Sequence, residues 1–284
     1  MTEIRAVGVC GAGLMGNGIA QACAAAGYDV TLAEVEDSPL RRGMSAIEAS
    51  LDRFVERGRI DRAERDRVLA RIRPTTQIDD LKECDLAIEA IVENAEAKAG
   101  LFARLDALLA PHAILCTNTS SLCVIELAAK TTRPNRVAGL HFFNPVPIMK
   151  LVEIVKTIAT SQEVVDTLFA FSRRLDKEPI LAQDTPGFVV NRLLVPYLLS
   201  AIRCYEQGVA TKEDIDKGMK LGCGYPMGPF ELLDFVGLDT TYYIAEIMFD
   251  EFKDPAMAPP PLLKRLVLAG RYGRKSGKGF YEYA

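Results

Sequence analysis

The stretch Ile4–Glu34, IRAVGVCGAGLMGNGIAQACAAAGYDVTLAE, decides the fold. Ile4–Cys10 is a short apolar run of the kind buried on both faces of a parallel sheet. It runs directly into Gly11-Ala12-Gly13-Leu14-Met15-Gly16, then into a helical stretch through Ala26. Gly27 closes that helix, and Val30–Ala33 forms a second strand ending at Glu34. This is the βαβ dinucleotide fingerprint in its required context. Gly11 permits the tight turn, Gly13 lets backbone approach a pyrophosphate, and Gly16 lets helix and strand pack closely. The helix N-terminus, with Leu14 and Met15 in its first turn, offers free N–H groups and a positive dipole end to the phosphates. Glu34 stands where a carboxylate accepts hydrogen bonds from the adenosine ribose and repels a 2′-phosphate. NAD is therefore expected, and NADP disfavoured.

Beyond this unit, Ser38-Pro39 reads as a helix start, and Leu40, Met44, Ile47, Leu51 and Phe54 keep helical spacing up to Arg57. Gly58 breaks the pattern and Asp61–Arg73 resumes it, which predicts a helical hairpin inserted at about residues 39–73. Its many arginines suit either a solvated face or contact with an acidic ligand arm. Strand-like runs return at Leu86–Ala90, Ile114–Thr117 and Val137–His141, with helical stretches between. Such alternation predicts a Rossmann-type α/β fold, a doubly wound and mostly parallel sheet that binds ligands at the carboxyl ends of its strands. Glu34, Glu93, Ser120 and His141 all fall at those ends. After Asp184 the strand-like runs stop, so the expected domains are residues 1–183, Rossmann-like, and 184–284, all-helical. The second opens with Gly187–Tyr205, which carries Asn191 near its start and Pro196 inside, and its apolar surface suggests a homodimer interface.

Composition narrows the function. The 284 residues are 49% apolar and 25% charged with a net charge of −4, which gives no reason to expect a nucleic-acid partner. No apolar stretch approaches the roughly 20 residues that span a bilayer, and Met1 leads almost directly into the first strand without a basic leader. Seven scattered cysteines without a C-x-x-C pair suit a reducing compartment, and neither histidine has a cysteine at zinc-ligand spacing. The expectation is a soluble cytoplasmic protein with no metal and no membrane partner.

The segment Leu140–Glu153, LHFFNPVPIMKLVE, holds the reactive candidates. Asn144-Pro145 and Val146-Pro147 redirect the chain, so the strand ending at His141 and the run Leu151–Val155 bring His141 and Glu153 side by side. A lone histidine is commonly a satisfied structural residue. An imidazole beside a carboxylate at a ligand-binding edge is also a device for moving a proton near neutral pH.

Taken together, GAGLMG, EAIVEN, NTSSL, LHFFNPVPIMKLVE, DTPGFVVNRLLVPYL, GYPMGPFELLDFVGLDT and GRKSGKGFY resemble the short-chain 3-hydroxyacyl-CoA dehydrogenase family over nearly the whole chain. The length suits its single-function bacterial 3-hydroxybutyryl-CoA dehydrogenases. The resemblance implies NAD-dependent interconversion of a 3-hydroxyacyl-CoA and its 3-keto form, with His141 and Glu153 as the acid–base pair. It implies substrate-polarising roles for Ser120 and Asn191, with domain closure completing the site. Cofactor contacts are implied for Glu34, Glu93, Lys98, Ser120, Asn144 and Lys275, and contacts to the CoA arm for Ser50 and Arg57, the latter standing where a lysine is usual. Plainer readings remain open: a helix cap for Ser120, an interhelical bond for Asn191, a salt bridge between Glu93 and a lysine, and a solvated turn for Lys275. Also open are a related hydroxy-acid or sugar-acid dehydrogenase and a non-catalytic, crystallin-like protein of the same fold.

Overall fold

The structure, a computed structural model, describes residues 3–283. Its first unit is built on strands β1 (Ala6–Cys10), β2 (Asp29–Ala33), β3 (Ile72–Thr75), β4 (Leu86–Glu89), β5 (Ile114–Thr117), β6 (Val137–Phe142), β7 (Leu151–Lys156) and β8 (Glu178–Gln183). The helices between them are α1 (Leu14–Ala25), α2 (Asp37–Glu56), α3 (Arg62–Ala70), α4 (Ala95–Leu108), α5 (Val124–Ala128) and α6 (Gln162–Arg174). The eight strands form one sheet in the order β3-β2-β1-β4-β5-β6-β7-β8. The first six are parallel, in the order of a dinucleotide-binding fold whose topological switch lies between β1 and β4. β7 then turns antiparallel to β6, and β8 returns through α6 to lie parallel to β7.

β4, β5 and β6 are buried at every residue, which is why their sequences are apolar runs rather than alternations. Side-chain caps fix where several helices begin: Asp61 on the Glu64 N–H, Asn94 on the Ala97 N–H and Ser161 on the Val164 N–H. Each such cap contributes about 1 kcal/mol.

Two local expectations are corrected. Residues 72–75 are not the end of the hairpin's second helix but strand β3, paired with β2 at the sheet edge. Ile72 fits helical spacing, yet a bare strand edge offers hydrogen bonds that a fourth helical turn does not, and Pro74 is tolerated at an edge. The first hairpin helix begins at Asp37, so Ser38 lies inside it and caps nothing.

The second unit holds α7 (Val190–Glu206), α8 (Lys212–Cys223), α9 (Pro229–Val236), α10 (Leu238–Phe252) and α11 (Pro261–Leu268) around a core of Leu198, Ile202, Phe230, Leu233, Met248 and Leu263. Thr211 caps α8 through the Asp214 N–H. Buried Asp216 accepts from the Phe230 and Glu231 N–H groups at the start of α9. Buried Asp234 accepts from the Phe280 and Tyr281 N–H groups and so ties down the end of the chain. The chain enters this unit twice, briefly at Ser120–Leu122 and finally from Thr185 onward. No described helix is long and apolar enough to cross a membrane.

Candidate active site

His141 and Glu153 face each other directly across the antiparallel β6–β7 pair. Imidazole Nδ1 lies 2.6 Å from Glu153 Oε2, and both side chains are buried. A carboxylate only accepts hydrogen bonds, so Nδ1 is the nitrogen that donates to Glu153. The Phe143 ring packs on the imidazole with centroids 4.6 Å apart, which limits its rotation. Asn118 supports the strand end by accepting the Phe142 N–H at 2.8 Å. Asn144 follows in an exposed turn. Lys177, itself buried, holds that turn through bonds from its ammonium to the Val146 and Met149 carbonyls at 2.6 and 2.8 Å.

At the switch point, Gly11 has a positive φ of 102°, and a Cβ on Gly16 would meet the Gly11 carbonyl oxygen at 1.8 Å. Turn and helix therefore touch backbone to backbone. A Cβ on Gly13 would meet nothing within 4 Å, so the protein's own packing does not explain that glycine. There α1 begins with neither a side-chain cap nor an acidic first turn to compete for its N–H groups. Glu34 accepts the Ala12 N–H at 3.0 Å and the Val35 N–H at 2.8 Å, which ties the end of β2 to this loop.

Past β4, Lys98 is almost wholly buried and pairs with Glu93 at 3.0 Å, the salt bridge that sequence left open for Glu93. It pairs also with Glu89, at 2.5 Å. The Thr119 hydroxyl donates to Glu93. The N-cap position of α5 is Cys123, whose own side chain makes no cap bond. The Asp184 carboxylate takes that work, accepting the Val124 and Ile125 N–H groups at 2.7 Å each. In the second unit the Asn191 amide donates to the Ser120 carbonyl at 3.4 Å, so these two residues adjoin. There too, the Lys275 ammonium meets the Asp239 carboxylate at 2.7 Å.

Ser50 lies in the last turns of α2, and exposed Arg57 follows its end. Arg41, Arg65 and Arg67 are each neutralised by a carboxylate within the hairpin; Arg57 has no acidic partner among the described residues. Neither is there, among those residues, a group of three or more His, Cys, Asp or Glu placed to hold a metal.

Sequence reasoning assigned no role to Glu89, Lys177 or Asp184. Each left a signal of its own: a carboxylate inside an apolar strand, a lysine just past a helix, and an acid opening a Thr-Pro-Gly turn.

Family models for the NAD-binding domain and the C-terminal domain of 3-hydroxyacyl-CoA dehydrogenase match residues 6–185 and 187–283. The chain belongs to the 3-hydroxyacyl-CoA dehydrogenase family. It is 49% identical to the mitochondrial hydroxyacyl-coenzyme A dehydrogenase of Sus scrofa, over 99% of this chain and 91% of that one. It is also 49% identical to a 3-hydroxybutyryl-CoA dehydrogenase of Mycobacterium tuberculosis, over 99% of both. Among solved structures, the (S)-3-hydroxybutyryl-CoA dehydrogenase of Ralstonia eutropha superposes with a TM-score of 0.96 at 43% identity, covering 99% of this chain and 100% of the other. Both the doubly wound sheet and the helical unit are those of a 3-hydroxyacyl-CoA dehydrogenase.

Proposed function

We propose that this 3-hydroxyacyl-CoA dehydrogenase oxidises short (S)-3-hydroxyacyl-CoA thioesters such as 3-hydroxybutyryl-CoA, reversibly and with NAD. The observation that carries the reading is the buried His141–Glu153 pair opposite one another on β6 and β7. Bound NAD supplies the acceptor for the hydride that leaves C3. His141 Nε2 takes the hydroxyl proton as the hydride departs, and Glu153 holds the ring in the required tautomer and stabilises the imidazolium. In reduction the same imidazolium returns the proton to the developing alkoxide. The Ser120 hydroxyl and the Asn191 amide donate to the reacting oxygen or the thioester carbonyl, in the manner of an oxyanion hole.

The loop Gly11–Gly16 fits a pyrophosphate, and Glu34 fits a ribose without a 2′-phosphate. Glu93, Lys98, Asn144 and Lys275 complete the cofactor's surroundings. Ser50 and the unneutralised Arg57 meet the CoA phosphates. The protein works in the cytoplasm as a homodimer through its helical unit, where Leu193, Leu221, Phe235 and Phe249 present apolar surface.

Steady-state kinetics with a series of 3-ketoacyl-CoA chain lengths, each with NADH and NADPH, test this reading, with sedimentation of the same sample for the dimer. The expected result is fastest turnover of acetoacetyl-CoA, with NADH preferred by at least about tenfold, which is 1.4 kcal/mol. No turnover of any acyl-CoA by the folded protein would favour the crystallin-like alternative, and equal rates with NADPH would remove the Glu34 argument.

A further inference from the structure

Glu89 ends β4, is completely buried, and has no part in the chemistry above. A carboxylate so placed persists only if its oxygens are bonded, and Glu89 ties three segments together. Its Oε1 accepts from the Ile91 N–H at 2.7 Å and from the Lys98 ammonium at 2.5 Å, and its Oε2 accepts from the Thr117 hydroxyl at 2.7 Å. Those partners belong to the loop after β4, to α4 and to the end of β5. The network then closes on itself. Lys98 continues to Glu93, the Thr119 N–H donates to Thr117 Oγ1 at 3.1 Å, and the Thr119 hydroxyl donates to Glu93. Register sets Glu89 beside Cys10 of β1, the residue before the dinucleotide turn.

We infer that Glu89 is a positioning residue for the cofactor: it fixes the Lys98 ammonium and the loop 91–94 at the switch point, and so sets how tightly the dinucleotide binds. The inference rests on the function proposed above. An ammonium has three N–H donors. Two point to Glu89 and Glu93, which hold the ammonium in place with the side chain only 1% exposed. One carboxylate would neutralise Lys98, so the second has work beyond neutrality. Glu93 is 27% exposed, whereas Glu89 anchors from inside the sheet. Without the Glu89 charge, Lys98 would swing toward Glu93 and the hold of Glu89 on the loop 91–94 would slacken.

The test is the Glu89→Gln protein, which keeps volume and loses charge. The chain has no tryptophan, so the enhancement of NADH fluorescence reads binding directly without acyl-CoA present. The Kd for NADH should rise about tenfold to a hundredfold, the scale of loss when the hydrogen-bond partner that orients a metal ligand is removed. The KM for 3-hydroxybutyryl-CoA should stay within about twofold, because uniform binding of the other substrate is untouched. In a Lys98→Met background the same substitution should add less than about twofold, since Glu89 acts through Lys98. If Glu89→Gln fails to fold, the Glu89→Gln/Lys98→Met protein, which leaves no buried charge unpaired, should melt like the parent and bind NADH as weakly as the Lys98→Met protein; parental affinity in it would overturn the inference. A folded Glu89→Gln protein with the parent's NADH Kd would overturn the inference, whatever its melting temperature. A parent that binds NADH but turns over no acyl-CoA would refute the proposed reaction and leave the Glu89 assignment standing.

Discussion

Replacing Glu153 with glutamine removes one charge from a buried site and almost nothing else. The amide oxygen can still accept from His141 Nδ1, now 2.6 Å from the carboxylate, and the side-chain volume is unchanged. On the proposed mechanism, what disappears is the attraction between carboxylate and imidazolium that arises when His141 takes the substrate proton. With charge centres about 4 Å apart and an effective dielectric near 20, that attraction is about 4 kcal/mol. At roughly 1.4 kcal/mol per decade, kcat should fall about three decades. An interaction absent from the ground state should leave KM for both substrates unchanged. The measurement is NADH formation at saturating 3-hydroxybutyryl-CoA and NAD, with circular dichroism melts to show that the fold is intact. The His141→Gln protein should lose at least as much, and the double variant no more than the worse single one, as befits two residues acting as a unit. A folded Glu153→Gln protein within about fivefold of parental kcat would refute the reasoning, because less than 1 kcal/mol would then separate the two side chains.

Three further substitutions probe the dinucleotide turn and the scaffold. Gly16→Ala forces a Cβ to 1.8 Å from the Gly11 carbonyl oxygen and should lower the melting temperature sharply or abolish folding. Gly13→Ala meets nothing within 4 Å and should melt like the parent while losing NADH affinity; equal affinity would remove the argument that a ligand approaches there. Asp106 is buried, which alone would raise its pKa, but bonds from Thr132 and from the Arg133 guanidinium outweigh this and hold it below the ordinary 3.8. The unfolded chain therefore binds more protons than the native one, so this stability is present above the unfolded value and is lost as pH falls through the lower native one. Asp106→Asn should cost about 3 kcal/mol at neutral pH, the scale for breaking a buried pair. It should also flatten the acid limb of a urea-stability profile between about pH 5 and pH 2; an unchanged limb would show that Asp106 is not what acid titrates.

What sequence disclosed and what it withheld divide along the range of the interactions. Gly11–Glu34 was legible because each element is local: a turn, a helix start and a strand end follow one another within one βαβ unit. His141 and Glu153 were legible for the same reason, since a single proline-bearing turn separates two strands and antiparallel pairing sets one opposite the other. Strand β3 was not, because Ile72-Arg73-Pro74-Thr75 has no strand pattern of its own and becomes a strand only by finding the edge of β2. Nor was the tie of Asp184 to the start of α5, which joins residues sixty apart in the chain. Glu89 stands between these cases. A carboxylate in Leu86-Ala87-Ile88-Glu89 is visible as a demand for a partner, because an unpaired buried charge costs several kcal/mol. Which lysine answers depends on how α4 settles on the sheet, and that is a property of packing. Had Lys98 been placed one residue away, a rotation of about 100° would have turned its ammonium off this side of the helix. The demand is therefore written in β4 alone, and its satisfaction only in the assembled sheet and helix.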